Sequence, residues 1–321
     1  MKATYDISII IPTFNSQNYI LDLLKSIKKN ICNAKYEIIL VDDGSNDNTL
    51  DISNNYFLEN NINNSVIPIK HSGVSKARNV GLDNASGKFV MFFDSDDIIK
   101  KEFITDKILK SDADIISFVS GEESKERIFL SKQDMIMSML LGKGYPIRYD
   151  MGPYRKMFNR KFLEDNKLNF PLELRWWEDL VFNFEAITLA KKIEFYYSDF
   201  YKQNENHLSL SHSIDSHIID NAATLKRIIR KIIAQNKDLD ETKIIRQLDI
   251  LIIWTVFSGY FIYHSNKEEY LDFLRKLNLI IDNNLIKAAP NKQSKIILIM
   301  LRHIGFYRSV RIYRFLKRLK H

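Results

Sequence analysis

The chain has 321 residues, of which 45% are hydrophobic and 27% charged, and its formal net charge is +7. This composition is typical of a globular protein with one large domain or a domain plus an appendage, and the single cysteine excludes an internal disulfide framework or a cysteine-based zinc cluster. The first apolar run is too short for a signal peptide, and no stretch approaches the ~18–20 apolar residues of a membrane-spanning helix, so we expect a cytoplasmic protein.

The first hundred residues alternate between strand and helix patterns. β-Branched or apolar runs end in polar turn residues, and segments with helical spacing lie between them. The strand patterns are "DISIIIP" (6–12), "YEIILVDDGS" (36–45), "VIPIKH" (66–71) and "KFVMFFD" (88–94), and the helical patterns are 18–30, 48–60 and 74–85. This alternation predicts an α/β fold with a mainly parallel sheet flanked by helices, a Rossmann-like arrangement.

Acidic and small polar residues follow several of these strands, in "PTFN" (12–15), "DDGSND" (42–47) and "DSDD" (94–97). Ligands of such sheets bind beyond the carboxyl ends of the strands, so these residues indicate a binding site. Carboxylates held close together resist joint ionisation unless a cation or hydrogen-bond donors compensate. Oxygen ligands of this kind suit Mg²⁺ or Mn²⁺, whereas the simpler alternative is that one aspartate only caps a helix.

The remainder of the chain divides into two parts. Residues 100–215 are mixed and contain the aromatic and acidic segment "LRWWEDLVFNFEAI" (174–187), while the pattern from 216 onward is almost wholly helical. We therefore predict an α/β catalytic domain over 1–215 and a helical region over 216–321. The segment 252–263 is apolar nearly all round, which leaves open whether it packs on the first domain or in a homo-oligomer.

Four segments together resemble family-2 inverting glycosyltransferases with a GT-A fold. They are "SIIIPTFN", "EIILVDDGSNDNT", "GVSKARNVGLDNASGKFVMFFDSDD" and "WWEDLVFNFEA", in this order and spacing. The resemblance covers about residues 5–210 and implies a nucleotide-sugar donor held across the strand ends. The donor-binding residues that it implies are Pro12, Thr13, Asp42, Asp43, Arg78, Asp94 and Ser95.

The resemblance also implies a divalent metal, Mn²⁺ or Mg²⁺. Asp96 is the expected direct ligand, Asp94 meets the ribose and the metal, and the role of Asp97 is left open. His207 lies in a polar loop where the family often has a serine, and it is either a metal or phosphate ligand or an exposed loop histidine. In the same loop Lys202 replaces the usual arginine, which leaves the contacts to the diphosphate open.

The "WWEDLVFN" segment matches the Glu-Asp motif of the family, which implies Asp179 as general base and Glu178 as its neighbour. Inversion requires a carboxylate that takes the proton of the attacking hydroxyl. Trp176 and Trp177 offer an apolar wall against a sugar, although core packing is the alternative for one of them. If Asp179 is not the base, Glu178 and Glu185 are the nearest candidates.

The basic residues are concentrated at the C-terminus. Ten of the 47 basic residues follow Asp282 and no acidic residue does, so residues 1–282, with 37 basic and 40 acidic residues, carry −3. On a helical wheel Ile304, Ile312, Phe315, Leu316 and Leu319 form one apolar stripe. The arginines and lysines lie on the other side, with Tyr307 and Tyr313 among them. This pattern favours binding to an anionic membrane surface, with packing against protein as the alternative. No nucleic-acid-binding motif accompanies these residues, so we expect no nucleic acid partner.

The combined prediction is an inverting transferase that moves a sugar from a nucleotide-diphosphate donor, UDP-linked, to a glycan or lipid-linked acceptor in surface polysaccharide synthesis. One alternative is a sugar-nucleotide pyrophosphorylase, which needs a glycine-rich, arginine-containing loop that "PTFNSQN" does not provide. The other is a non-catalytic, transferase-like protein that binds a glycan or a partner enzyme, which has no reason to keep Asp94, Asp96 and Asp179.

Overall fold

The computed structural model describes residues 4–120, 130–141, 149–204, 216–261, 266–277, 279 and 281–318. The chain forms two compact units. The first, called the sheet unit, consists of residues 1–129, 149–172 and 178–206, and the second, called the helical unit, consists of 130–148, 173–177 and 207–321. Each unit therefore contains segments from more than one part of the chain.

The sheet unit is built on a seven-stranded sheet of the described residues, with the strand order β3-β2-β1-β4-β7-β6-β8. β1, β2, β3 and β4 are parallel to one another, β7 is antiparallel to β4 and β6, and β6 and β8 are parallel. The strands are β1 (Tyr5–Thr13), β2 (Tyr36–Asp42), β3 (Asn64–Pro68), β4 (Gly87–Phe92), β6 (Ile115–Val119), β7 (Lys156–Asn159) and β8 (Ile193–Tyr197).

Helices cover both faces of this sheet, which explains why its central strands are continuous apolar runs rather than alternating ones. Ile9 and Ile11 of β1 belong to one core, and Ile10 between them belongs to a second core on the opposite face. The helices of the sheet unit are α1 (Ile20–Asn30), α2 (Thr49–Asn60), α3 (Val74–Asn84), α4 (Asp106–Lys110), α6 (Arg160–Asp165) and α7 (Glu178–Leu189). The predicted mainly parallel α/β fold is confirmed.

Two local features of the sheet unit position the strand ends. α3 packs so closely on β1 that a Cβ atom at Gly81 would lie 2.3 Å from Cγ2 of Ile10, and this close approach requires glycine. β5 (Ile98–Ile99) pairs in antiparallel fashion with β9 (Tyr201–Lys202), so that the chain after "DSDD" is joined to a segment a hundred residues later.

The helical unit contains α5 (Lys132–Leu141) together with the C-terminal helices. These are α8 (His217–Ala234), α9 (Glu241–Val256), α10 (Lys267–Lys276), α11 (Asn283–Lys287), α12 (Lys292–His303) and α13 (Phe306–Arg318). The side chain of Gln133 on α5 accepts a hydrogen bond from the backbone N–H of Asp240, where α9 begins. The helical unit also includes residues 130–148 and 173–177, which precede the boundary near residue 215 that was predicted from the sequence.

The described part of the apolar segment 252–263, which is residues 252–261, packs within the helical unit. It continues as a turn of π-helix over Phe257–Phe261. The ring of Phe257 meets that of Tyr313 on α13, and Phe261 packs edge-on against Tyr270 and Phe306. The apolar surface that left a homo-oligomer open therefore has partners in its own unit. Within the described part of the chain, every helix is too short or too polar to cross a membrane.

Candidate active site

A single arginine joins the acidic end of β4 to the acidic start of α7. Arg78 lies on α3, and only 3% of its side chain is exposed. Its Nη2 donates a hydrogen bond to Oδ1 of Asp94 at 2.9 Å, and its Nη1 donates to Oδ1 of Asp179 at 2.6 Å. The same Nη1 is 3.4 Å from Oε1 of Glu178. Three predicted site residues separated by up to 85 positions thus share one guanidinium, which matches carboxylates through its fork of N–H donors.

The two carboxylates of α7 are held in an environment that favours protonation. Burial raises the pKa of Glu178, and the charge of Asp179 raises it further. Burial also raises the pKa of Asp179, against the opposing effect of the Arg78 charge. The exposed fraction of the side chain is 25% for Asp179 and 12% for Glu178, so Asp179 is the more accessible of the two. A carboxylate with a raised pKa that solvent can reach is suited to general base chemistry near neutral pH.

The backbone before α7 turns sharply to place these carboxylates. Trp177 has a φ of 67°, in the left-handed region that a bulky residue rarely adopts. Glu178 and Asp179 follow as the first turn of α7, where the helix dipole stabilises negative charge. Such backbone strain persists only where the surroundings enforce it and often marks a functional position. Trp176 is buried, with 9% of its surface exposed, and Trp177 is half-buried.

The predicted nucleotide-binding residues of the first two strands lie at adjacent strand ends. Thr13 pairs with Asp42 across the ends of β1 and β2, and Pro12 is buried one residue earlier. Oδ1 of Asp42 accepts a hydrogen bond from Oγ1 of Thr13 at 3.2 Å, and its Oδ2 accepts one from the backbone N–H of Ser45 at 3.0 Å. Asp42 therefore closes the turn after β2.

Asp43 fixes the segment that leads into α3. Its two carboxylate oxygens accept hydrogen bonds from the backbone N–H groups of Ser72, at 2.6 Å, and Gly73, at 2.8 Å. Nδ1 of His71 lies 2.9 Å from Oδ2 of the same carboxylate. The ring of His71 stacks on the ring of Phe14, with centroids 4.4 Å apart, and 44% of Phe14 is exposed. An accessible aromatic pair thus stands beside the predicted nucleobase residues.

Asp97, whose role the sequence left open, ties the acidic loop to β9. It accepts a hydrogen bond from the hydroxyl of Tyr201 and another, at 3.0 Å, from the backbone N–H of Asn204. Only 3% of Asp97 is exposed, and burial together with the charges of Asp94 and Asp96 raises its pKa to about 7. These contacts show a structural function for Asp97 and an excess of negative charge in its loop.

The acidic loop contains two carboxylates of the kind that bind a divalent metal. Asp94 and Asp96 are both partly exposed, and the hydroxyl of Ser95 between them lies 2.7 Å from that of Ser16. Among the described residues, no group of three or more His, Cys, Asp and Glu side chains is arranged to hold a metal ion. Mg²⁺ and similar ions commonly bind through one or two carboxylates, with water and substrate phosphates completing the coordination, so two aspartates suffice. His207, the third predicted ligand, lies outside the described residues.

Two features of this site were not predicted from the sequence. Phe14 directly follows the strand end that was expected to meet the nucleobase. The signal in the sequence is an aromatic residue within the polar strand-end segment "PTFN". Arg78 was expected at the nucleobase, and the structure places it between Asp94 and the pair on α7. No pattern in a single sequence connects positions 78, 94 and 179, because their contact depends on the packing of α3 and α7 against the sheet.

Comparison with known proteins identifies relatives of this fold. The family model "Glycosyl transferase family 2" matches residues 8–167. The poly(ribitol-phosphate) beta-N-acetylglucosaminyltransferase TarS of Staphylococcus aureus is 34% identical over 216 residues, which are 63% of this chain and 36% of TarS. The poly(ribitol-phosphate) beta-glucosyltransferase of Bacillus spizizenii is 30% identical over 226 residues, 64% of this chain and 34% of that enzyme. The chain thus matches about a third of the length of these relatives.

The solved structures agree with this relationship. A crystal structure of S. aureus TarS 1–349 in complex with UDP has a TM-score of 0.61 and 25% identity, and the match covers 98% of this chain and 92% of that one. The fold and the strand-end acids define a GT-A glycosyltransferase domain followed by helices. The chain belongs to glycosyltransferase family 2.

Proposed function

We propose that this protein is an inverting glycosyltransferase that moves a sugar from a UDP-linked donor to an acceptor hydroxyl, with Asp179 as the general base. The observation that carries the proposal is the shared guanidinium of Arg78, which joins Asp94 at the predicted donor site to Asp179 at distances of 2.9 and 2.6 Å. This arrangement brings a proposed ligand of the metal at the departing diphosphate and the base for the incoming hydroxyl to a single location, as a direct displacement requires.

The proposed reaction is a single displacement at the anomeric carbon. The acceptor hydroxyl gives its proton to Asp179, its oxygen forms a bond to the anomeric carbon, and the bond from that carbon to the diphosphate breaks, with the electron pair leaving on UDP. Asp179 is suited to this task because its pKa is raised by burial while the charge of Arg78 keeps it ionised at neutral pH. The attack from the side opposite the diphosphate inverts the configuration.

Asp94 and Asp96 are the proposed holders of Mn²⁺ or Mg²⁺. When bound, such an ion neutralises the charge that develops on a departing diphosphate. Asp96 lies two positions after Asp94, and its side chain is partly exposed. Asp94 already meets Arg78, so this residue connects the diphosphate site with the base.

The exposed pair of Phe14 and His71 is the proposed platform for the nucleobase. A base that stacks on an aromatic side chain gains about 1–3 kcal/mol. Asp43, which contacts His71, and Thr13 at the end of β1 lie beside this pair and remain the predicted polar contacts of the base. The solved relative TarS 1–349 binds UDP, which supports uracil as that base.

The proposed acceptor is a surface glycan of the teichoic type. Both named relatives transfer sugars to poly(ribitol-phosphate), and the TarS match extends over 63% of this chain. We therefore place the reaction in the synthesis of a cell-surface polymer on the cytoplasmic side of the membrane, with a glycan or lipid-linked acceptor. The pyrophosphorylase alternative is not favoured, because the comparisons and the site both indicate sugar transfer.

Calorimetric titration with UDP and GDP, each with and without Mn²⁺, tests this proposal. We expect UDP to bind more tightly in the presence of Mn²⁺, and we expect Asp96→Ala to abolish the metal-dependent part because it removes the proposed ligand. Phe14→Ala should weaken UDP binding by about tenfold or more with or without metal, because it removes a stacking surface. Asp51→Ala, which alters an exposed aspartate of α2, is the matched control.

The outcome of that titration decides the assignment. The proposed metal site would be contradicted if Mn²⁺ did not change the affinity for UDP. It would also be contradicted if Asp51→Ala and Asp96→Ala changed that affinity equally. If neither nucleotide binds, the donor site itself is wrong. Where UDP binds as expected, incubation with a panel of UDP-sugars and poly(ribitol-phosphate) identifies the transferred sugar, and NMR of the product reports whether the configuration is inverted.

We also propose that the C-terminal helices contact an anionic membrane surface. α12 and α13 pack on each other and expose apolar and basic residues together. The exposed apolar residues are Ile296, Ile299, Ile304, Tyr307 and Ile312, and the exposed basic residues include Lys295, Arg302, Arg308 and Arg311. Phe306 and Val310 are buried, so α13 remains anchored to its unit. Exposed isoleucines interleaved with arginines suit insertion among anionic headgroups.

Cosedimentation with phosphatidylcholine vesicles, with and without phosphatidylglycerol, tests this surface. Binding should require phosphatidylglycerol and weaken with salt, because each basic residue near the surface contributes about 1 kcal/mol. Changing Arg302, Arg308 and Arg311 to glutamine should reduce binding by about 100-fold on the same basis. The matched control changes the exposed lysines of α1 (Lys25, Lys28 and Lys29) to glutamine. Equal losses in both triple variants would show that net charge, and not this surface, governs binding.

A further inference from the structure

A lysine is buried at the start of β7, close to the candidate base. Only 1% of Lys156 is exposed. Its ammonium donates hydrogen bonds to the carbonyl oxygens of Asp150, at 2.9 Å, and Gly152, at 2.6 Å, and it lies 4.5 Å from the centre of the Tyr149 ring. Lysine is among the residues least often buried completely, because removing its charge from water is costly. A fully buried lysine held by backbone carbonyls therefore calls for an explanation.

The segment held by Lys156 is also attached to the helix of Asp179. Asn183, which is fully buried one turn after Asp179 on α7, donates a hydrogen bond to the carbonyl oxygen of Met151 at 2.7 Å and another to the carbonyl of Asp179 at 3.0 Å. The carbonyls of residues 150, 151 and 152 are thus all held, the outer two by Lys156 and the middle one by Asn183.

The same segment reaches the acidic loop on its other side. A Cβ atom at Gly152 would lie 2.0 Å from Cε1 of Tyr154, so the Tyr154 ring packs directly on this glycine. That ring stacks on the ring of Tyr201, with centroids 5.2 Å apart and an angle of 9° between the planes. Tyr201 in turn donates a hydrogen bond to Asp97. Residues 149–154 therefore link the turn that carries Asp179 with the loop of the proposed metal ligands.

The buried charge of Lys156 acts on the base as well. Burial lowers the pKa of Lys156 to about 8, the charges of Asp150 and Asp179 oppose that change, and the charge of Arg155 adds to it. At neutral pH Lys156 is therefore still largely charged. Its charge lowers the pKa of Asp179, in the same direction as that of Arg78.

We propose that Lys156 is a positioning residue for the transfer reaction, which clamps residues 150–152 beside the proposed base and supplies Asp179 with a second buried positive charge. This inference rests on the proposed function, because it assigns Lys156 a task in the step performed by Asp179. The established family membership does not require it, and a purely structural lysine would hold the same carbonyls without affecting the protonation of the base.

The test compares Lys156→Met with the wild-type chain. Methionine keeps the length and the apolar stem but removes the charge and the donors. We expect kcat/KM for transfer from the UDP-sugar to fall by about tenfold at neutral pH and to recover at alkaline pH, because the raised pKa of Asp179 moves the acidic limb of the profile to higher pH. The affinity for UDP should remain within about twofold, because Lys156 contacts Tyr149, Asp150 and Gly152, whereas the proposed donor-binding residues lie at the strand ends.

Hydrogen exchange provides a second readout that does not depend on activity. Residues 149–155 should exchange faster in Lys156→Met, because the carbonyls of Asp150 and Gly152 lose their donor. Lys226→Met is the matched control: Lys226 is a second buried lysine, in the helical unit, which pairs with Asp249 at 2.7 Å and with the carbonyl of Leu277 at 2.8 Å. The Lys226→Met variant should lower the stability of the protein without changing the pH dependence of kcat/KM or the hydrogen exchange of residues 149–155.

Each outcome has a distinct meaning. If the acidic limb of the pH profile of kcat/KM and the hydrogen exchange of residues 149–155 are both unchanged in Lys156→Met, the proposed role of Lys156 is wrong. The proposed transferase function would not be affected by that result. Faster exchange with an unchanged limb would reduce Lys156 to a structural residue and also overturn the proposal. If the wild-type chain transfers no sugar, the proposed function fails and the inference falls with it. Should Lys156→Met not fold, Lys156→Gln, which keeps a hydrogen-bond donor and removes the charge, gives the same comparison.

Discussion

Replacing Arg78 with glutamine is expected to lower kcat/KM at neutral pH by about 2- to 100-fold. Loss of an opposite charge at this distance raises the pKa of an aspartate by about 1–3, from about 6 for Asp179. Arg78 contacts Asp179 at 2.6 Å and Asp94 at 2.9 Å, and Glu178 lies close by. Without the guanidinium the three carboxylates repel one another, so the pKa of Asp179 rises and the base is protonated at neutral pH. The loss should diminish as the pH is raised.

A conservative variant separates charge from geometry. Arg78→Lys keeps one positive charge, but an ammonium cannot meet carboxylates on two sides with the fork of a guanidinium. We expect its kcat/KM to lie between those of the wild type and Arg78→Gln, with a smaller displacement of the acidic limb. Stability should fall in both variants, most in Arg78→Gln, because breaking a buried ion pair costs about 3–5 kcal/mol. Thermal unfolding and the pH profile measure the two effects separately.

Titration with UDP distinguishes this role from the one predicted at the nucleobase. If Arg78 acts only on the carboxylates, Arg78→Gln binds UDP nearly as tightly as the wild type while transfer is lost. If it also meets the donor, the affinity for UDP falls as well. A pH profile that keeps its acidic limb in Arg78→Gln would contradict the proposed influence of Arg78 on Asp179.

The parts of the site that the sequence predicts are those that local pattern determines. The strand at Gly87–Phe92 is a continuous apolar run, and a parallel sheet with both faces covered requires such runs, so the position of Asp94 at its end followed directly. The Glu178-Asp179 pair was likewise identified by a local motif, "WWEDLVFN", and α7 begins at this pair. In both cases residues within about ten positions carry the information.

The remaining features depend on contacts between distant elements. Lys156 has the sequence context of an ordinary strand residue, and its burial arises because β7 lies inside the sheet between β4 and β6. The stack of Phe14 on His71 joins the end of β1 to the segment before α3, 57 positions apart. The grouping of α5 with the C-terminal helices likewise could not be predicted from the order of the elements along the chain. Apolar periodicity shows that an element is buried but not which element buries it.

Asp179→Asn is expected to reduce kcat by about 100- to 10,000-fold, the usual contribution of a positioned general base. Asparagine preserves the shape of the side chain and removes its ability to take a proton. The affinity for UDP should be largely retained, because the proposed donor site lies at the strand ends. Rapid-quench measurement of the transferred sugar, with calorimetry of UDP binding on the same preparation, separates the chemical step from the binding step.

Glu178→Gln is the matched control for that variant. Burial and the charge of Asp179 raise the pKa of Glu178, and a hydrogen bond from Glu178 lowers the pKa of Asp179. Glutamine can still donate such a bond, and we expect most of the activity to remain.

A larger loss in Glu178→Gln than in Asp179→Asn would reverse the assignment of the base. Equal and severe losses in both would indicate that the pair acts as one unit whose single proton cannot be assigned to either residue. Glu185 does not compete on geometry, because it follows Glu178 by seven positions and lies about 10 Å further along the helix axis. The greater exposure of Asp179, 25% against 12%, and its shorter distance to Arg78, 2.6 Å against 3.4 Å, are the reasons that we assign the proton transfer to Asp179.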